Sequence, residues 1–107
     1  MTTTMIDDPI LKRVRSELER LYGDRIERVV LFGSRARGDA RTDSDYDIAV
    51  FLHDAPDIWA ELDRLADLST EILLRDQANL EALAWPAGAW RDETPLMREI
   101  RKDGIEI

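Results

Sequence analysis

The sequence predicts a small α+β (or α/β) domain in which helices cover a small mixed β-sheet. Three observations support this class. Helical and strand-like patterns follow one another in the order αββαβα. The chain has 107 residues, the size of one domain, and 44% of them are hydrophobic, which is enough for one core. We therefore expect a single domain over residues 1–107, with strands of mixed direction and one open sheet face.

The first elements follow from a helix-start signal and from two different periodicities. Asp7 and Asp8 precede Pro9, and proline is favoured in the first turn of a helix. Apolar residues then recur at steps of three and four, at Ile10, Leu11, Val14, Leu18 and Leu21. These signals predict a helix over residues 9–22. The run 26–32 is short and rich in β-branched residues, which predicts a buried strand.

The rest of the chain continues this alternation. Residues 33–44 are rich in Gly, Arg, Asp and Ser and are expected to form a loop. Residues 46–52 predict a second strand, 56–74 a longer helix, 79–85 a third strand and 96–102 a short last helix. The apolar stripe of the longer helix is expected to comprise Ile58, Trp59, Leu62, Leu65, Ala66, Ile72 and Leu73.

Composition excludes several classes of partner. The chain has 15 Lys and Arg against 23 Asp and Glu, a formal net charge of -8, so we expect no nucleic-acid partner. The absence of Cys excludes disulfides and thiolate metal sites. Residues 1–8 lack the basic start of a secretory signal, and no segment approaches the roughly 18 apolar residues of a membrane span. We therefore expect a cytoplasmic protein without a membrane partner.

The segment after the first predicted strand has the features of a phosphate-binding turn. Gly33 lets the backbone turn and approach a ligand closely, and the following amides and the Ser34 hydroxyl can donate to phosphate oxygens. Arg35 and Arg37 add positive charge and forked donors that suit phosphate, although an exposed, ion-paired role fits both equally well. Gly38 permits a second backbone conformation that other residues avoid.

Two acids stand at the head of the second predicted strand. Asp45 and Asp47 are two residues apart, so their side chains leave the same face, with Cα atoms roughly 6.5 Å apart. Tyr46 and Ile48 point to the opposite face, into the core. Paired carboxylates suit Mg²⁺, which proteins commonly hold with one or two carboxylates plus substrate phosphates. The sequence therefore predicts a nucleoside triphosphate on the Gly-Ser turn, with Mg²⁺ between its phosphates and the two aspartates.

Two other motifs are excluded by the residues present. Gly33 and Gly38 have the spacing of the Walker A glycines, but Asp39 and Ala40 stand where Lys and then Ser or Thr are required. The aspartates before the second strand mimic the start of an EF-hand loop. Ile48, however, stands where the sharp-turn glycine of that loop belongs, so the EF-hand interpretation fails.

The motif as a whole resembles that of the DNA polymerase β nucleotidyltransferase superfamily. The short chain resembles its minimal branch, the MntA-like antitoxins paired with HEPN-domain toxins. The resemblance is carried by Gly33-Ser34, Gly38 and Ser44-Asp45-Tyr46-Asp47. It implies the polymerase β-like fold and a Mg²⁺-dependent transfer of AMP from ATP to a tyrosine of the toxin, which silences the toxin. It also implies that Gly33, Ser34 and Ser44 contact the triphosphate. Asp45 and Asp47 would bind the metal.

The family also expects a third carboxylate on a neighbouring strand, as a metal ligand and as the base for the attacking hydroxyl. Glu81 is the candidate, because Asn79 shares its face but cannot act as a base. Two alternatives to protein adenylylation stay open. Without a competent third carboxylate, the chain would be a non-catalytic antitoxin that only binds its toxin. As a homo-oligomer whose second copy completes the pocket, it would modify a small molecule such as an aminoglycoside.

Overall fold

The computed structural model describes residues 8–107. Over these residues helices and strands alternate, with two short 3₁₀ turns at Gly23–Arg25 and Ala89–Arg91. Two predictions concern the stretch before Asp8: that no secretory signal is present and that Asp7 contributes to the first helix cap. Both predictions rest on residues 1–7, which lie outside the described residues; Asp8, the other acid of the predicted cap, is described.

The four strands of the described part of the chain form one mixed sheet. Strand β1 (Ile26–Phe32) pairs antiparallel with β2 (Tyr46–Leu52), and β2 pairs parallel with β3 (Leu80–Pro86). Strand β4 (Ile105–Glu106) pairs antiparallel with the other side of β1, which gives the order β3-β2-β1-β4. The three longer strands and their mixed direction confirm the predicted sheet. Strand β4 was not predicted, because a run this short has no periodicity to detect.

Within residues 8–107 four helices accompany the sheet: α1 (Pro9–Tyr22), α2 (Ser34–Arg37), α3 (Ile58–Asp76) and α4 (Pro95–Asp103). The three longer ones confirm the predicted helices, and their first amides bond to the capping side chains of Asp8, Asp57 and Thr94. The one-turn helix α2 lies inside the segment 33–44, which was predicted as a loop, so that prediction was wrong for residues 34–37. No helix within residues 8–107 is long and apolar enough to cross a membrane.

Two hydrophobic clusters pack on opposite faces of the sheet. The larger lies between the sheet and helices α1 and α3, and Leu18, Ile48 and Leu65 are completely buried in it. The smaller lies between the other sheet face and α4; it comprises Val30, Ala49, Phe51, Met97 and Ile100. The expectation of one open sheet face is wrong over this area, because the short last helix folds back across β1 and β2.

The buried face of α3 differs from the predicted stripe. The buried side chains of this helix are those of Glu61, Leu65, Leu68 and Ile72. Trp59 and Leu73, which were predicted to be in the stripe, are 75% and 47% exposed, and Ala66 is exposed as well. The prediction failed because apolar residues occur on two faces of this helix. Glu61 takes a place in the buried face because its carboxylate accepts a hydrogen bond from the Arg25 guanidinium at 3.0 Å.

Candidate active site at one end of the sheet

The chain bends sharply at the end of β1. Gly33 has a φ of 75°, in the left-handed region that favours glycine. Asp47 is the register partner of Phe32 across the antiparallel β1–β2 pair, which brings its carboxylate over the bend. A Cβ atom at Gly33 would overlap that carboxylate. The backbone of the bend and a predicted metal ligand therefore lie in direct contact, as close as only glycine allows.

The predicted phosphate-binding turn folds as helix α2. The Gly33 carbonyl accepts a hydrogen bond from the Arg37 amide at 3.1 Å. Gly38 ends the turn with a φ of 83°, and its amide donates to the Ser34 carbonyl. The amides of Ser34 and Arg35 belong to the first turn, where N–H groups have no acceptor inside the helix. These two amides can donate to an anion that lies at the bend.

The three predicted carboxylates come together at this end of the sheet. Asp47 on β2 is in register with Glu81 on β3, and Asp45 directly precedes β2. Asp45 and Glu81 line one open cavity of about 280 Å³, together with Asn79. Tyr46 lies in the larger core, on the face opposite Asp47, as predicted. The bend, the aspartate pair and Glu81 therefore occupy one region of the molecule.

The electrostatics at Asp47 reflect this crowding. Burial raises the pKa of the Asp47 carboxyl above its usual range, and the charges of Glu81, Asp45 and Glu99 raise that pKa further, whereas Arg37 lowers it. Glu99 lies on α4 and was not singled out from the sequence. Helical periodicity shows which residues share a face of α4, but not that α4 packs beside this site. A cation among these acids would relieve their repulsion.

The donor set fits a hard divalent cation that shares its coordination with a ligand. Among residues 8–107, no three His, Cys, Asp or Glu side chains form a group that could hold a metal ion. Mg²⁺ is usually held by one or two carboxylates together with substrate phosphates, rather than by a cage made only of protein. Asp47, half-buried against the bend, and the exposed Asp45 match that pattern.

The other predicted phosphate ligands differ in their contacts. Arg35 folds back on the loop and donates to the Ser44 carbonyl at 3.1 and 2.8 Å. Arg37 is exposed and pairs with Glu99 at 3.6 Å. The Ser44 hydroxyl accepts a hydrogen bond from the Arg41 amide at 2.8 Å. Arg37 is therefore placed at the surface of the turn, while Arg35 and Ser44 hold the loop together.

Comparison of the sequence with known proteins gives one family match and two similar proteins. The family model described as Polymerase beta, Nucleotidyltransferase matches residues 16–107. Two Methanocaldococcus jannaschii proteins named as protein adenylyltransferases are also similar to the chain. One is 24% identical over 98 residues, which cover 92% of this chain and 95% of that protein. The other is 35% identical over 71 residues, 66% of this chain and 65% of that protein.

Solved structures share the fold. A toxin–antitoxin crystal structure with AMP-PNP superposes with a TM-score of 0.62 at 20% sequence identity, over 92% of this chain and 72% of that one. A mutant of the toxin–antitoxin MntA–HpeT superposes with a TM-score of 0.61 at 19% identity, over 88% of this chain and 69% of that one. At these identities the similarity concerns the arrangement of helices and strands.

Proposed function

The chain belongs to the polymerase β nucleotidyltransferase family, and we propose that it is a Mg²⁺-dependent protein adenylyltransferase that uses ATP. In this proposal the chain is the antitoxin of a HEPN-domain toxin and transfers AMP to a tyrosine of that partner. The observation that supports it best is the contact of the Asp47 carboxylate with the Gly33 bend, with Asp45 and Glu81 alongside.

Each group at the bend receives a role in this proposal. Gly33 lets the triphosphate approach the backbone, and the Ser34 amide and hydroxyl donate to its oxygens. Gly38 closes the turn that orients those amides. Arg37 supplies positive charge at the same turn, where its described partners are the partly exposed Glu99 and the exposed Asp39. Ser44 keeps the loop before Asp45 in place, because its hydroxyl accepts a hydrogen bond from the Arg41 amide.

In this proposal the carboxylates bind the metal ion and accept the proton of the acceptor hydroxyl. Asp45 and Asp47 would hold Mg²⁺ together with the triphosphate, and Glu81 would act as the base. When bound, the ion neutralises charge on the phosphates. The acceptor hydroxyl oxygen forms a bond to the α-phosphorus, the bond from that phosphorus to the bridging oxygen of the β-phosphate breaks, and pyrophosphate leaves. The hydroxyl proton passes to the Glu81 carboxylate, which the register holds next to Asp47.

The comparisons support a protein as the acceptor. The two sequence relatives are named as protein adenylyltransferases, and the structural neighbours are toxin–antitoxin complexes, one of them with AMP-PNP. We propose by this similarity that the chain also acts on a partner toxin.

Incubation of the chain with α-³²P-labelled ATP, Mg²⁺ and the HEPN-domain toxin proposed as its partner tests this function. We expect label on that protein, at a tyrosine identified by mass spectrometry. A tight complex without label would instead indicate an antitoxin that acts by binding alone. Label only on added aminoglycosides would indicate a small-molecule enzyme. Asp45→Asn should abolish transfer while the circular dichroism spectrum is unchanged, and full transfer by that variant would contradict the metal assignment.

A further inference from the structure

The guanidinium of Arg35 is bound to the backbone of the loop that leads into the aspartate pair. Its Nε and Nη2 atoms donate to the Ser44 carbonyl at 3.1 and 2.8 Å. Nη2 also lies 3.2 Å from the Thr42 carbonyl and 3.4 Å from the Arg41 carbonyl. One side chain of the Gly-Ser turn therefore fixes three carbonyls in the segment directly before Asp45.

The same guanidinium lies over the ring of the residue that follows Asp45. Its Cζ atom is 3.9 Å from the centre of the Tyr46 ring, a cation–π contact. Tyr46 is itself fixed, because its hydroxyl donates to the Asp8 carboxylate at 2.8 Å and its amide donates to the Asn79 carbonyl at 2.8 Å. Asp45 is thus held between a segment bound by Arg35 and a tyrosine anchored to α1 and to β3.

These contacts occupy the groups with which Arg35 would otherwise meet a nucleotide. A guanidinium recognises phosphate through two parallel N–H donors, and here both Nε and Nη2 point at loop carbonyls while one face is covered by an aromatic ring. Arg37, two residues later, has a 41% exposed side chain, and its partners within residues 8–107 are the side-chain acids Asp39 and Glu99. The two arginines of this turn therefore have different tasks.

We propose that Arg35 is a positioning residue that sets Asp45 for metal binding by holding the segment 41–44 against the Tyr46 ring. This inference rests on the proposed function, since it assumes that Asp45 is a metal ligand. It depends on a flat, forked cation. Lysine keeps the charge but offers a single ammonium that cannot reproduce the paired bonds to Ser44 together with the stacking on Tyr46.

The test compares Arg35→Lys and Arg35→Ala with Arg41→Ala, a control that removes an exposed arginine side chain from the same loop. Hydrogen exchange of the amides in 41–46 reports the positioning directly. We expect faster exchange in both Arg35 variants and an unchanged pattern in Arg41→Ala. Mn²⁺ binding in the presence of a saturating non-hydrolysable ATP analogue, followed by electron paramagnetic resonance, should weaken by about tenfold or more in Arg35→Lys, as for other residues that orient a metal ligand. Metal-free ATP binding should change less than twofold.

Each contrary result overturns a defined part of the inference. Unchanged exchange in both Arg35 variants would show that the segment does not depend on this side chain. Faster exchange with unchanged Mn²⁺ affinity would show that the segment is held for another purpose. Weakened ATP binding with unchanged Mn²⁺ affinity would make Arg35 a phosphate ligand. A wild-type chain that binds no Mn²⁺ even with the ATP analogue present, yet shows the expected exchange, would remove the metal role of Asp45 and with it the proposed mechanism, but not the holding of segment 41–44 by Arg35.

Discussion

Gly33 and Asp47 are in contact, and this makes the glycine sensitive to the smallest substitution. Gly33→Ala forces a side chain into the left-handed region and against the Asp47 carboxylate, so we expect a loss of about 1–3 kcal/mol in the free energy of unfolding and about 100-fold in nucleotidyl transfer. Gly88→Ala is the matched control, because its φ is 86° but a Cβ there meets no described atom within 4 Å. It should cost about 1 kcal/mol and leave transfer intact. Urea unfolding and labelled transfer measure the two effects, and equal transfer by both variants would contradict this prediction.

Asp47 also links the site to stability. Its folded-state pKa is raised, first by burial and then by Glu81, Asp45 and Glu99, so the charged carboxylate disfavours the folded state at neutral pH. Asp47→Asn should therefore raise the Tm at pH 7. The gain in the free energy of unfolding should stay below about 1 kcal/mol, because solvent screens a half-exposed charge. The difference from wild type should vanish as the pH falls through the raised Asp47 pKa, where the wild type is protonated too. Calorimetry across that range would contradict us if the variant melted lower at pH 7.

Single residues of the site were predictable where the chemistry is local. The bend at Gly33 and the turn at Gly38 follow from residue types at a fixed spacing; both glycines have a positive φ, and Asp47 lies against the bend. The functional roles of these residues stay predictions. Glu99 could not be predicted, because its proximity depends on how α4 packs. The contacts of Arg35 could not be predicted either, because sequence shows that a guanidinium is present but not which acceptors it meets.

Helix α3 shows how packing selects one of two apolar faces. Leu65 is completely buried, whereas Leu74 is 77% exposed. We expect Leu65→Ala to lower the free energy of unfolding by about 2–5 kcal/mol and Leu74→Ala by less than about 0.5 kcal/mol. Urea unfolding of the two variants measures both values. Comparable losses would mean that the exposed face is covered in solution.

Elements with a strong period were predictable and short ones were not. The first helix and the first two long strands have the predicted bounds, because the three-and-four-residue spacing of the helix and the short, largely apolar runs of the strands extend over their whole length. Helix α2 and strand β4 are too short to carry a period, and they form because the bend at Gly33 and the edge of β1 supply their hydrogen-bond partners. In α3 the period was present but ambiguous in phase, so Trp59 and Leu73 were assigned to the wrong face.

The whole molecule carries a formal net charge of -8, so its charges repel one another in the folded state. We expect the Tm to rise by a few degrees when NaCl is increased from about 10 to about 300 mM, because screening weakens that repulsion. MgCl₂ at the same ionic strength should raise the Tm further if the acids at the bend bind the ion. Asp45→Asn is the control for that second increment. An equal response to both salts in the wild type would count against a specific site.

The parallel pairing of β2 with β3 has a consequence for the order in which the molecule is made. Asp47 and Glu81 are neighbours across this pair, yet the whole of α3 lies between them along the chain. During synthesis the bend and both aspartates leave the ribosome before the crossover helix, and Glu81 follows only after it. A nascent chain can therefore contain the bend and its aspartates without the third acid. The three carboxylates come together only when β3 pairs with β2 after α3 has been made.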